Sequence, residues 1–149
     1  MHPPTRPTIG IAVSTYNSNI TLRLLEGAQA TLEAAGWGAD RQQVQHVPGA
    51  WELPLACRWL LDRPQVVAVL ALGAVIRGET SHDQHINRAV SNALMELMTE
   101  SRKPVGFGLL TCNSLEQAIH RAGGNVGNKG CETAEAVLAM LQIRQTNSL

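Results

Sequence analysis

Aromatic side chains are scarce in this chain of 149 residues: three Trp, one Tyr and one Phe make up 3% of it. A core built with so few rings has to be aliphatic, so the positions of those five side chains carry information. Neither sign of charge is in excess. Twelve basic residues face twelve acidic ones, which argues against a strong non-specific field for nucleic acid or an anionic membrane. A net charge near zero favours association, so a homo-oligomer is expected. Cysteine is sparse too. Cys57, Cys112 and Cys131 are odd in number, far apart and without a CxxC. Neither a disulfide framework nor a zinc motif is legible, and a reducing cytoplasm is the expected compartment. The opening MHPPTRPT has no apolar stretch, so no signal peptide is expected. The longest apolar run, Val66 to Ile76, is too short to span a bilayer.

What is present describes a folded protein: 44% hydrophobic and 16% charged residues. The length fits a single domain over residues 1–149, with 1–8 expected as a flexible N-terminal arm. Four strand-like runs alternate with helical stretches. Ile9–Val13 is the first strand, and Leu24, Leu25, Ala28 and Leu32 then recur at helical spacing up to Gly36. Val44–Val47 ends at Pro48-Gly49, and a helix over about Trp51–Leu61 carries Pro54 in its first turn, where proline is tolerated. Val66–Ile76 is apolar on both faces, as a central parallel strand should be. Ser81-His-Asp-Gln84 reads as a capping box ahead of a helix with Ile86, Ala89, Val90, Ala93, Leu94 and Leu97 on one face. Val105–Leu110 is the fourth strand, followed by a short helix from Ser114 to Ala122, a glycine-rich break, and a last helix over about Cys131–Ile143. This alternation predicts an α/β fold, one parallel four-stranded sheet between two helical layers. Ligands then bind beyond the carboxyl ends of the strands.

Those ends hold the chemistry-bearing residues. Tyr16 and Trp51 follow the first two strands; they either pack the loops or offer a stacking face to a flat heterocycle. Glu52 is either a carboxylate on a helix dipole or an acceptor for ring N–H groups. In Ile76-Arg-Gly-Glu-Thr-Ser-His82, Gly78 permits close backbone approach, and the N–H groups of Glu79 and Thr80 precede a helix N-terminus suited to an anion. His82 in the first turn is either structural or a neutral base, since that end of a helix disfavours imidazolium. His82 and His85 share a face but lack a clear third ligand, so the metal reading is poor. Arg121 and Lys129 flank a glycine-rich stretch that is not a Walker A motif, because no strand precedes it and no Ser or Thr follows the lysine. Arg121 clamps a phosphate only if the fold brings it near Thr80. On these residues alone, a condensing enzyme, a non-catalytic flavin- or nucleotide-binding module and a metal-dependent hydrolase all remain open.

VPGAWELP (Val47 to Pro54), LGAVIRGETSH (Leu72 to His82) and QAIHRAGGNVGNKG (Gln117 to Gly130), in this order, resemble the 6,7-dimethyl-8-ribityllumazine synthase family over about Ile9 to Leu141. The resemblance implies a flavodoxin-like αβα sandwich and the penultimate step of riboflavin biosynthesis. In that step, 5-amino-6-(D-ribitylamino)uracil and 3,4-dihydroxy-2-butanone 4-phosphate condense, with no metal and no organic cofactor. It further implies that Tyr16 stacks on the pyrimidine, where the family more often has Phe or Trp. Ala50, Trp51 and Glu52 match the segment holding the ribityl chain and ring, and Val75, Ile76 and Arg77 match the strand end that meets the pyrimidine through backbone groups. Phe107 matches an aromatic position near that ring. Glu79, Thr80 and Arg121 match the phosphate-binding residues, Lys129 adds to their field, and His82 matches the proton-transfer histidine. Phe107 and Arg121 are donated by the neighbouring subunit, so the site needs an oligomer: a pentamer, and in some members a shell of twelve pentamers. Here Pro3, Pro4 and Pro7 weaken strand addition by the N-terminal segment, whereas the stretch from Gly123 to Gly130, free of added residues, leaves ring-to-ring packing open. Riboflavin synthase is the protein partner the resemblance suggests.

Overall fold

The computed structural model of the chain describes residues 6–78 and 82–149. Its elements run β1 (Thr8–Ser14), α1 (Ser18–Ala34), β2 (Gln42–Val47), α2 (Leu53–Leu61), β3 (Val66–Ile76), α3 (His82–Ser101), β4 (Val105–Cys112), α4 (Leu115–Arg121), β5 (Ala122–Gly124), β6 (Gly127–Asn128) and α5 (Lys129–Thr146). The main sheet is parallel in the order β2-β1-β3-β4, so the protein has the flavodoxin-like three-layer sandwich expected from the sequence. β3 occupies the interior, with Ile11 opposite Leu70 on one side and Ala71 opposite Phe107 on the other. Because side chains alternate across a strand, Ile9, Ile11, Val13, Leu70 and Leu72 pack on one face against α1 and α5, through Ile20, Leu24, Ala28, Leu32 and Val137. Ala12, Val69, Ala71 and Leu109 pack on the other against α2 and α3, through Leu53, Cys57, Leu60, Val90 and Leu94.

Both layers are aliphatic. Four of the five aromatic side chains, Tyr16, Trp51, Trp59 and Phe107, are exposed, and the fifth, Trp37, is half-buried under the guanidinium of Arg41, 4.2 Å from its centroid.

Several expectations shift at their edges. The helix expected from Trp51 opens as a 3-10 turn, Ala50–Glu52, before α2 begins at Leu53 with Pro54 in its first turn. Ala89, expected on the buried face of α3, is exposed; it lies about 100° around the helix from buried Val90. The glycine-rich break is a small antiparallel hairpin, β5 with β6, turned through Gly123 and Gly127 at positive φ. α5 starts two residues earlier than expected, because Asn128 caps it: the Asn128 Oδ1 accepts from the N–H groups of Gly130 (2.8 Å) and Cys131 (3.2 Å). Thr8, placed in the arm by the sequence reading, already belongs to β1 and donates its N–H to the Gln65 carbonyl at 2.8 Å.

The same Asn128 donates through Nδ2 to the Arg23 carbonyl of α1 at 3.1 Å. α1 and α5 therefore meet closely at the start of α5, where a Cβ on Gly130 would overlap the Leu24 carbonyl oxygen. That neighbour is helix backbone and yields little. Gly130→Ala is expected to destabilise the fold by about 1–3 kcal/mol or more, read as a lower urea midpoint at unchanged m-value.

Candidate functional site

The carboxyl rim of the sheet is stitched by backbone bonds that display particular side chains. After β1 the chain turns out of the sheet, and the N–H groups of Thr15 and Tyr16 donate to the carbonyls of Val47 (2.8 Å) and Pro48 (2.9 Å) behind β2. Asn17 then adopts the left-handed conformation at φ 63°, which Asn tolerates better than most residues. Its Nδ2 donates to the Ala74 carbonyl of β3 at 3.0 Å. Tyr16 is thus fixed between two anchored neighbours with its ring outward, 73% exposed. Behind β2, the N–H of Gly49 donates to Glu52 Oε1 at 2.9 Å. This closes the turn that presents Trp51, 63% exposed.

Between these loops and α3 lies a cavity of about 370 Å³. Tyr16, Asn17 and Trp51 form one part of its wall, Ala74, Val75 and Ile76 the strand side, and His82, Asp83 and Ile86 the helix side; Gly49, Ala50 and Gly78 complete it. It combines aromatic faces, an apolar strand end, a carboxylate and an imidazole.

A second cavity, about 430 Å³, is lined by Phe107, Leu109, Leu110 and Thr111 of β4 together with Arg121, Val126, Lys129 and Glu132. α4 carries Arg121 in its last turn and is capped by Ser114, whose Oγ accepts the Gln117 N–H at 3.2 Å. The hairpin and the Asn128 cap then bring Lys129 to the same cavity. Burial raises the Cys112 thiol pKa, and the nearby Arg121 charge partly opposes the rise. Burial alone pushes Cys57 up to about 12, so neither is poised as a thiolate nucleophile at neutral pH.

The residues expected from the sequence fall into three groups. Tyr16, Ala50, Trp51, Val75, Ile76 and His82 share the first cavity, whereas Phe107 and Arg121, with Lys129, line the second. Glu52 and Arg77 line neither. Glu52 Oε1 is engaged by its own turn, accepting the Gly49 N–H, and the Arg77 N–H is taken by the Cys112 carbonyl at 2.8 Å. Glu79, Thr80 and Ser81, the expected cap, lie outside the described residues. The sequence reading gave no part to Asn17 and treated Asp83 only as part of a capping box. The available signals were an Asn between strand and helix, and a carboxylate beside His82. Among the described residues, no three or more His, Cys, Asp or Glu side chains gather as a metal site would need, and no helix is long and apolar enough to cross a membrane. A wider depression of about 690 Å³ at the opposite rim, between Pro7, Trp37, Leu141 and Leu149, contains none of the expected site residues.

A parallel sheet of this strand order, with a cavity of about 370 Å³ at its carboxyl rim, places the chain among flavodoxin-like α/β proteins, whose ligands bind at that rim. The family model for 6,7-dimethyl-8-ribityllumazine synthase matches residues 6–145. A 6,7-dimethyl-8-ribityllumazine synthase of Rhodopirellula baltica is 51% identical over 136 residues, covering 91% of this chain and 88% of its own. That of Thermus thermophilus is 42% identical over 140 residues, covering 94% and 89%, and that of Porphyromonas gingivalis is 46% identical over 132 residues, covering 89% and 82%. The chain belongs to the 6,7-dimethyl-8-ribityllumazine synthase family, a family of transferase enzymes of riboflavin biosynthesis.

Asn17 separates two contributions that can be measured. Asn17→Gly keeps the left-handed turn but loses the tie to Ala74, about 1 kcal/mol. Asn17→Ala loses the tie and adds the left-handed penalty of roughly 1–2 kcal/mol. Thermal unfolding is expected to rank the stabilities wild type, then Gly, then Ala.

Proposed function

We propose that the protein condenses 5-amino-6-(D-ribitylamino)uracil with 3,4-dihydroxy-2-butanone 4-phosphate to 6,7-dimethyl-8-ribityllumazine, releasing phosphate and water. Beyond family membership, the observation that carries this reading is the cavity where Tyr16, Trp51 and His82 meet the end of β3. The reaction needs no protein nucleophile. The aromatic amine of the pyrimidine attacks the ketone and a first water leaves, phosphate is eliminated, the enol so formed tautomerises to a carbonyl, and the second nitrogen condenses with that carbonyl with loss of a second water. The protein therefore orients two substrates and moves protons. Tyr16 and Trp51 offer π faces to the heterocycle, and Val75 and Ile76 offer the strand end. His82, at the start of α3, is the proton-transfer group. The N–H groups of Glu79 and Thr80, with the Arg121 guanidinium and the Lys129 field, hold the phosphate.

The cations and Phe107 line a different cavity from His82 in the same chain, which supports a site shared between subunits. A stripe of exposed apolar side chains also supports it. Trp51, Leu55 and Trp59 are 63%, 54% and 60% exposed and follow one another at i, i+4 and i+8. The stripe starts at the rim of the first cavity and runs down α2. Such a surface is normally covered, and a neighbour seated on it stands next to the cavity mouth. A head-to-tail interface of this kind closes into a ring, and a pentamer is the minimum active unit in this reading.

Measurements of activity and of assembly test it. Mixing the protein with both substrates is expected to generate lumazine absorbance. His82→Ala should lower kcat by less than the usual ~10²–10⁴ for an acid–base residue, because orientation is intact; an unchanged kcat removes His82 from the mechanism. Arg121→Ala should raise KM for the butanone phosphate about 10- to 100-fold, with much less effect on the pyrimidine. For assembly, light scattering is expected to give a pentamer or a multiple of it. Trp59→Glu, which puts a charge in the middle of the stripe, should yield smaller particles without activity. A stable, active monomer overturns the shared site.

A further inference from the structure

The wall of the first cavity contains one group to which neither the chemistry above nor the family resemblance gives a part. Asp83 is only 9% exposed, and what surface it keeps lies in the cavity wall. Among the described residues, no hydrogen-bond donor and no cation is paired with its carboxylate. Its place in the first turn of α3 is favourable for negative charge, and the little surface it keeps faces the cavity, so a ligand that displaces water there leaves the carboxylate short of donors unless it brings its own. A ligand that brings O–H or N–H groups would supply them.

The position within the cavity narrows the choice of ligand group. Asp83 lies on α3, and α3 packs against the Ala50–Glu52 turn, the segment matched above to the ribityl chain. Ala50 and Ile86 leave this side without other charged groups among the described lining residues. An ionised carboxylate is acceptor-only and can take two or more donors at once. Adjacent hydroxyl groups on a flexible polyol satisfy it better than the single N–H edge of a ring.

We propose that Asp83 is a substrate-binding residue whose carboxylate accepts hydrogen bonds from hydroxyl groups of the substrate's polyol arm. The inference rests on the reaction proposed above and assigns it a specificity determinant for the ribityl chain.

Binding separates this from catalysis. Calorimetry with 5-amino-6-(D-ribitylamino)uracil alone gives Kd for the wild type, Asp83→Ala and Asp83→Asn; 5,6-diaminouracil, the same heterocycle without the arm, is the control. Asp83→Ala is expected to weaken the ribityl compound about 10- to 100-fold, Asp83→Asn less, and neither to change affinity for the armless compound. Where the alanine variant fails to fold, the near-isosteric asparagine decides by the same comparison. Equal affinity of wild type and variants for the ribityl compound, or an equal loss for both compounds, overturns the proposal. A wild type that binds the ribityl compound but makes no lumazine with the second substrate overturns the proposed reaction and leaves the Asp83 comparison to be read. A wild type that binds neither overturns both.

Discussion

Everything at the rim depends on β3 being paired in parallel on both sides. Eleven residues, Val66–Ile76, run between β1 and β4. Because the strands are parallel, their carboxyl ends emerge along one rim, and every loop that follows a strand starts there. β3 can sit inside only because its side chains are apolar toward both helical layers. Its last residues, Ala74 to Ile76, then form the apolar floor on which the polar loops are hung. The Ala74 carbonyl holds Asn17, and Asn17 sets Tyr16. Cavity geometry is in this sense a consequence of hydrophobic burial several residues upstream.

Where a segment's own residues decided its structure, the sequence was legible. The run Val66–Ile76 is a strand with the expected bounds, Pro54 lies where a helix can tolerate it, and Ser114 caps the helix it precedes. Legibility failed where a partner distant in the chain decided. Asn128 starts α5 early because it also reaches the Arg23 carbonyl, 105 residues away in sequence. The β5–β6 hairpin has too few side chains to show an alternating pattern. Glu52 and Asp83 are both carboxylates near helix starts, and nothing local distinguishes them. One accepts the Gly49 N–H and the other stands in a cavity wall with no paired donor among the described residues, a difference that only tertiary packing creates.

The division of site residues between two cavities was not legible from the residues themselves. Phe107 and Thr111 stand on β4, an outer strand of the sheet, and Arg121 and Lys129 approach them from the other side of a hairpin. Tyr16 and Trp51 belong to loops after β1 and β2 at the opposite half of the sheet. Strand order therefore separates the aromatic, imidazole-bearing part from the cationic part within one chain. No local residue pattern marks that division; the family resemblance alone implies that a second copy completes the site.

The outward placement of the rings has a consequence for how the protein emits light. Of the three indoles, Trp51 and Trp59 already face solvent in the folded chain, and only Trp37 is partly sheltered, beneath Arg41. Intrinsic emission of a single chain is therefore dominated by water-exposed indoles and registers the loss of the aliphatic core weakly. It would respond instead to any group that covers α2 or the cavity rim: a neighbour seated on Trp59 would shift it to the blue, and a heterocycle stacked near Trp51 would quench it. With two indoles already in water, tryptophan fluorescence of this chain is suited to report contact better than folding.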